Sequence, residues 1–522
     1  MKRLGTMLLV WLLVAALALP LGAASPDQFE LYASKHGVFY QIFVRSFADG
    51  DGDGLGDLQG IIQRLDYLND GDPKTTADLG VTGIWLTPIH PSPTYHKYDV
   101  VDYYAVDPEI GTLEDFRELV EEAHARGMKV ILDLVMNHTS SQHPWFQNAR
   151  KDAESEYRDY YIWAGPDTQV SRRGPWNQVV WHAAGDSHYY GLFWSEMPDL
   201  NWANPKVRAE FKAVAEFWLE QGVDGFRLDA AKHLFEHDPS QRAVDWWLEF
   251  SEYVRELKPD VYLVGEVWDS PHVVAPYYAA FDSTFNFDLA DRTIPIVRFG
   301  LDTGLVPAVL EQHQRYNEHA QGWAIDAPFL SNHDQDRVMS QLFGDWNQAK
   351  MAAAIYLTLP GTPFIYSGEE IGMQGRGDHE NIREPFKWYD LDGPGQTWWR
   401  SSQFNTGRWQ PSVETQHGDP ASLLNHYRSL IHLRLSEPAL RLGSLVEVDY
   451  GDNPRIIAYG REWQGEKVLV IHNISRLEQQ AVLDGELWRP RDILFASGDY
   501  HVESSSGSCL VTLAPHATLI WK

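Results

Sequence analysis

A chain of 522 residues buries a sizeable core and has room for more than one folded unit, which excludes a single small domain. Its formal charge of −30 argues against a polyanionic partner such as nucleic acid and favours neutral ligands. The single cysteine, Cys509, rules out an internal disulfide, so stability has to come from core packing and bound metal ions.

At the start, Lys2 and Arg3 precede an apolar run from Met7 to Leu19, then Pro20 and the small residues Gly22, Ala23, Ala24 and Ser25. This is the layout of a secretory signal peptide with cleavage near Ala24, and the run is shorter than the ~20 residues of a membrane-spanning helix. The expectation is a secreted protein, extracellular or periplasmic, with no membrane attachment once the signal is removed. It is expected to be a monomer.

From about Lys35 to Ile371 one rhythm recurs: an amphipathic helical stretch, a glycine, and a short apolar run ending in polar residues. Glu114 to Gly127 illustrates it, with Phe116, Leu119, Val120 and Ala123 on one face and the run Lys129 to Val135 following. Eight strands are predicted: Val38–Val44, Gly83–Ile89, Lys129–Met136, Gly225–Leu228, Val261–Val267, Phe281–Phe287, Ala327–Ser331 and Pro363–Ser367. Eight parallel strands alternating with helices imply an α/β fold, a (β/α)8 TIM barrel whose chemistry gathers at the C-terminal strand ends. An open doubly wound sheet is the competing topology, but no glycine-rich dinucleotide turn follows the first strand. The stretch Thr139 to Asn201 is too long for a simple connection and reads as an inserted subdomain. After the helical segment Leu423 to Leu435, alternating β runs suggest a C-terminal antiparallel β-sandwich. The expected division is signal 1–24, barrel 25–138 and 202–437, insertion 139–201 and sandwich 438–522.

The chemistry sits at the strand ends. The fourth strand leads through Arg227 into Asp229, Lys232 and His233, the fifth into Glu266, the third into His138, and the seventh into His333 and Asp334. A barrel brings these segments around one opening. Hydrolysis of a glycoside with retention needs two carboxyl groups about 5–5.5 Å apart, one attacking and one protonating, and Asp229 and Glu266 suit those posts. Arg227, two residues before Asp229, points to the same side of the strand, where its charge is expected to keep Asp229 ionised. Glu266, facing other acids, is expected to have its pKa raised. Asp334 suits a hydrogen bond to ring hydroxyls, with His138 and His333 adding donors. After the first strand, Asp49, Asp51, Asp53 and Asp57 occupy positions one, three, five and nine of a glycine-rich turn, with the Leu55 carbonyl at position seven. Such hard oxygen donors suit Ca2+, but Gly60 at position twelve excludes an EF-hand.

Leu132-Asp133-Leu134-Val135-Met136-Asn137-His138, Gly225 to His233, Val264-Gly265-Glu266-Val267 and Phe329-Leu330-Ser331-Asn332-His333-Asp334 resemble, in order, the four signature segments of the α-amylase family of glycoside hydrolases. Gly361 to Glu370 resembles the family's eighth-strand motif. The resemblance implies Asp229 as nucleophile, Glu266 as acid/base and Asp334 as transition-state stabiliser. It places Arg227, His138 and His333 around the scissile sugar, and gives Asp133 an architectural role. It implies that Tyr98 and Asp99 stack on and hydrogen-bond the sugar beside the cleavage point, and that Lys232 and His233 lie on the leaving-group side. Arg383 is expected to pair with Asp99 or with the substrate, a surface ion pair being the alternative. The acidic turn resembles the metal loop of oligo-1,6-glucosidase-like relatives, and a second calcium using Asn137 and the His233 carbonyl would fit α-amylase habits. Trp176, Trp181, Tyr189, Tyr190 and Trp194 of the insertion are either sugar platforms or, as such aromatics more often are, a small module's core.

Met197-Pro198-Asp199-Leu200-Asn201 is similar to the motif of a group intermediate between oligo-1,6-glucosidases and neopullulanases. Neopullulanase-like members usually carry an extra N-terminal domain, whereas here the first strand begins soon after the signal. The leading expectation is therefore a secreted α-amylase acting on an α-glucan by endo-hydrolysis of α-1,4 bonds. The alternatives are an exo-acting α-glucosidase or oligo-1,6-glucosidase, a cyclomaltodextrinase-like transglycosylase and, remotely, a non-catalytic glucan-binding protein.

Overall fold

A computed structural model describes residues 25–235, 239–406, 411–505 and 507–522, so the signal-like segment lies outside the described residues. Nine strands come first: β1 (Phe39–Ile42), β2 (Gly83–Leu86), β3 (Lys129–Leu134), β4 (Trp181–Ala184), β5 (Ser187–Tyr190), β6 (Gly225–Leu228), β7 (Tyr262–Gly265), β8 (Ser283–Thr284) and β9 (Phe364–Tyr366). Seven of them form one parallel sheet in the order β8-β7-β6-β3-β2-β1-β9. The gap between β8 and β9 is filled by residues 326–328. Phe285 bridges Ala327, the Asn286 N–H donates to the Ala327 carbonyl at 3.1 Å, and the Phe364 N–H donates to the Pro328 carbonyl at 2.9 Å. The sheet therefore closes into a (β/α)8 TIM barrel.

The predicted seventh strand, Ala327–Ser331, reduces to that one bridge because Pro328 has no N–H to give a ladder. The predicted sixth, Phe281–Phe287, shortens to the strand Ser283–Thr284 and the Phe285 bridge, since Asn286 already caps the helix Phe287–Phe299 by accepting from the Leu289 N–H. Val44, predicted as the end of the first strand, begins a short helix, Val44–Phe47.

Period-two alternation sends Phe39, Trp85, Ile131, Tyr262, Val264, Phe285, Phe329 and Phe364 into one apolar cluster. Phe39 stacks on Tyr262 at 5.2 Å and on Phe364 at 5.1 Å, and burying each such ring contributes roughly 2–3 kcal/mol. Gly83 pairs with Phe39 in the register, and a Cβ there would meet the ring at 2.4 Å, so the close approach requires glycine. Two residues further along the strands, Gln41, Asp133 and Arg227 are buried polar groups. An apolar plug thus underlies a charged mouth.

The segment after β3 contains the helix Pro144–Lys151 and the β4/β5 hairpin, and it returns beside the barrel through a bridge between His138 and Asp199. Trp181, Tyr189 and Tyr190 are buried, Trp181 and Tyr190 packing with Val180 and Leu192, so Trp181 and Tyr189 serve as core, while Tyr190 also lines a cavity. Trp176 and Trp194 are exposed.

After the helix Leu423–Ser436 come β10 (Ser444–Glu447), β11 (Ile456–Trp463), β12 (Glu466–Asn473), β13 (Gln479–Asp484), β14 (Ile493–Ser497), β15 (Tyr500–Ser505), β16 (Ser508–Leu513) and β17 (Thr518–Trp521). They make an antiparallel sheet, β10-β11-β12-β17-β14, and a smaller one, β13-β16-β15. Ile456, Leu469, Leu483, Val511 and Leu519 share their apolar core. A buried arginine joins this module to the barrel. Arg461, on β11, donates to the carbonyls of Thr358 and Gly443, next to Arg434 of the helix Leu423–Ser436, which donates to those of Leu357, Leu359 and Gly361. Burial without a carboxylate partner lowers Arg461 to about 10, and the carbonyls at the end of the helix Trp346–Thr358 offset part of that cost.

Candidate active site

Arg227 organises the mouth. It lies on β6, where Gly225 lets the strand pass within reach of Tyr262, whose carbonyl a Cβ would meet at 2.0 Å. Its Nη1 reaches both oxygens of Asp133, at 2.9 and 3.1 Å, and contacts Asp229; its Nη2 lies 3.0 Å from Glu266 Oε2. Asp229 and Glu266, far apart in the chain, therefore share one guanidinium and one opening, with side chains 10% and 14% exposed. Glu266 Oε2 also accepts from the Ala230 N–H at 2.9 Å. Ala230 adopts φ 46°, a left-handed conformation costing about 1–2 kcal/mol for a residue with a Cβ, and this turn aims its N–H at Glu266. The remaining oxygens, Asp229 Oδ2 and Glu266 Oε1, have no hydrogen-bond partner among the described residues.

Burial pushes Glu266 up to about 7; Arg227 opposes this, and the charges of Asp229 and Asp334 add to it. Asp229 is also raised, because burial outweighs the Arg227 contact that was expected to hold it down. Asp133, wholly buried, rises to about 7 for the same reason. Three carboxyl groups around one guanidinium cannot all be compensated by a single positive charge.

Asp334 behaves differently. Its side chain is 27% exposed and accepts from Arg383 Nη2 at 2.6 Å. Burial alone would raise it, but His333, Arg383, Arg227 and His379 hold it well below the carboxylate range. Among these Arg383 and Arg227 carry fixed charges, Arg383 being the one in contact, and burial keeps His333 neutral. Gln41 Nε2 lies 2.7 Å from His333 Nδ1, and His333 Nε2 lies 2.6 Å from the Tyr98 hydroxyl, which donates to Asp133 at 2.8 Å. The Tyr98 ring stacks on His333 at 5.3 Å with planes 4° apart. His333 was expected to donate to a sugar; instead both its ring nitrogens are engaged and it is sealed beneath Tyr98.

Asp99 is 0% exposed and its Oδ1 accepts from Ser92 at 2.6 Å and from Thr94, which holds its loop, while its Oδ2 has no protein partner among the described residues and is left available to a ligand. The expected Asp99–Arg383 pair does not form. Arg383 is buried, donating to the His333 carbonyl and Tyr95 as well as to Asp334, and is not a surface ion pair. His138 is buried, yet its Nε2 has no protein partner, which leaves it available to a ligand. On the side beyond Glu266, Lys232 bonds Asp269 at 3.0 Å, and with His233, Trp176, Tyr190 and Phe235 it lines a cavity of about 470 Å3. His233 stands edge-on to Trp176 and Phe193, both at 5.7 Å.

Residues 41–443 match the family model described as the alpha amylase catalytic domain. The chain belongs to the α-amylase family of glycoside hydrolases. Residues 446–520 match the maltogenic amylase C-terminal domain. The enzyme is 44% identical over 489 residues to Alpha-amylase 3 of Dictyoglomus thermophilum, covering 94% of this chain and 93% of that protein. It is 35% identical over 448 residues to a 4-alpha-glucanotransferase of Thermotoga neapolitana, covering 84% and 96%. The crystal structure of alpha-amylase from H. orenii superposes with a TM-score of 0.87 at 49% identity, covering 93% of this chain and 99% of that one.

In this α-amylase family enzyme the acidic turn after β1 brings oxygens of Asp49, Asp51 and Asp57 within 4.8 Å of one another. Burial raises Asp57, with the charges of Asp51 and Asp49 adding, so the donor set fits a hard divalent cation. Asp53 does not join them: it is exposed and accepts from the Leu55 N–H at 2.7 Å. Asn137 Oδ1 is a buried acceptor without a protein partner. Sequence reasoning passed over Gln41, Tyr95 and Ala230. Gln41 was findable as the polar residue two places after inward-facing Phe39. The other two depend on a loop contact and a backbone turn that leave no mark in the sequence.

Proposed function

We propose that this enzyme is a secreted, calcium-binding α-amylase that cleaves internal α-1,4 bonds of starch-like glucans with retention of configuration. The observation that carries the reading is one guanidinium gripping two partly open carboxyl groups, with polar and aromatic walls on both sides: Arg383, Asp334 and Tyr95 on one, Lys232, His233 and Trp176 on the other. A chain threading past the acids in both directions suits endo attack.

In the first step Asp229 Oδ2 attacks the anomeric carbon while the glycosidic C–O bond breaks and the leaving oxygen takes the proton from Glu266. In the second, Glu266 accepts a proton from water, whose oxygen attacks the same carbon and releases Asp229. The raised pKa of Glu266 keeps it protonated for the first step, and the Ala230 N–H and Arg227 orient it through Oε2. Arg227 stabilises ionised Asp229 when the ester bond breaks. Asp334, held ionised by Arg383, accepts hydrogen bonds from the sugar as the ring distorts. Asp49, Asp51 and Asp57 would hold calcium, which would supply the positive charge those clustered oxygens lack. The segment 1–24 supports export.

Early sampling of a soluble-starch digest tests the reading. A rapid viscosity drop with mixed α-configured oligosaccharides is expected; glucose alone from the start, or β-configured first products, would overturn it. A second reading, glucanotransferase, has support from the ~470 Å3 cavity beside Lys232, large enough to hold an acceptor sugar. It requires that labelled maltotriose added to the digest be elongated.

A further inference from the structure

Beyond Asp334, on the side away from Lys232, one imidazole stands open at the mouth. His379 begins the short helix His379–Ile382, and its side chain is 56% exposed. Its Nδ1 lies 3.0 Å from Arg383 Nη2 and 3.6 Å from Asp334 Oδ1. A guanidinium can only donate, so Nδ1 is the acceptor and the ring proton of the neutral form sits on Nε2. Nε2 lies on the opposite edge of the ring from Nδ1 and has no partner among the described residues. Arg383 does not need His379 to hold it, for it already donates to the His333 carbonyl, Tyr95 and Asp334.

We propose that His379 is a specificity-determining residue whose Nε2–H donates to a hydroxyl of the glucan chain on the far side of Asp334 from Glu266. This rests on the reading of Asp229, Glu266 and Asp334 as the reacting site. The arrangement sorts substrates by length. A chain that occupies the position beside Asp334 gains one hydrogen bond, and a fragment too short to reach it gains none.

The test compares His379→Ala and His379→Gln by steady-state kinetics on maltoheptaose and maltotriose, with product analysis and thermal unfolding. His379→Ala should lose roughly three- to tenfold in kcat/KM on maltoheptaose, the worth of one neutral hydrogen bond, with less loss on maltotriose and an altered product pattern. Gln, which can still donate, should recover most of the loss, and the unfolding midpoint should not move. Unchanged kcat/KM and products in His379→Ala would overturn the proposal, as would equal loss in Ala and Gln or a loss that follows a fall in the midpoint. Asp229→Asn run alongside keeps the two readings apart, because retained turnover there sinks the site assignment itself, whatever His379 does.

Discussion

The enzyme buries acids in two quite different ways. At the mouth, Asp133, Asp229 and Glu266 surround Arg227, and two of the three look into the opening. Behind β9, Glu369 accepts from the hydroxyls of Tyr356 at 2.9 Å and Tyr427 at 2.8 Å, and Glu370 from those of Tyr40 and Tyr67, both at 2.7 Å. Burial raises both sets, Glu369 to about 8. The phenol donors favour the ionised form, but burial with no cation in contact among the described residues outweighs them, so the tyrosine-lined pair is held toward the protonated, inert state. A guanidinium is a permanent charge, and an acid beside it gains by ionising. Depth is common to the two sets; the neighbour and the opening decide which one does chemistry.

The largest expected difference is in turnover. Glu266→Gln should cost kcat roughly a hundred- to ten-thousand-fold, and Asp229→Asn at least as much, with the unfolding midpoint retained. Near-normal turnover in either would erase the contrast. Next comes pH. Activity should fall as pH rises through about 7, where Glu266 loses its proton, and that limb should be missing from the residual activity of Glu266→Gln. The same shift has a stability sign. Because the folded pKa lies above the unfolded one, the stabilisation held by protonated Glu266 is complete below the ordinary glutamate range and is lost as pH rises through about 7. Urea midpoints of Glu266→Gln should therefore change less over that interval than those of the unsubstituted enzyme.

The acidic turn is a third case, in which the countercharge comes from outside the chain. Calcium a hundredfold above its dissociation constant should add about 2.7 kcal/mol to unfolding, EDTA should remove it, and Asp51→Asn should lack it. A midpoint indifferent to calcium would mean that these oxygens hold no ion. The smallest effect is set by Glu370→Gln. If its amide nitrogen replaces Oε2 it meets the Gly368 N–H, which now donates there at 2.9 Å, at a cost of about 1–3 kcal/mol in stability with kcat unchanged. A loss of kcat with stability intact would blur the two acid sets into one.

The strand-end groups were legible because a barrel forces C-terminal strand ends together, so Arg227, Asp229, Glu266 and Asp334 follow once eight strands are recognised. What stayed hidden depended on depth and on contacts between loops. Sequence spacing places Arg227 beside Asp229 but does not say how much water the pair loses, and that loss set the direction of the Asp229 shift. Asp99 and Arg383 carry opposite charges outside the strands, yet Ser92 and Thr94 hold one and Asp334 the other. The seventh strand looked regular by hydrophobicity, while Pro328 removed the donor that regularity needed.

The carbonyls that Arg461 ties down have a bearing on descent and design. They belong to Thr358 and Gly443, while the guanidinium is carried by the C-terminal module, so cutting the chain there would strand acceptors on one piece and a cation on the other. Swapping that module for a foreign one, however similar its outline, would have to import the same arginine at the same place. The two parts are thus a matched set, with Arg476 of the module also pairing at the surface with Asp345 of the barrel at 3.2 Å.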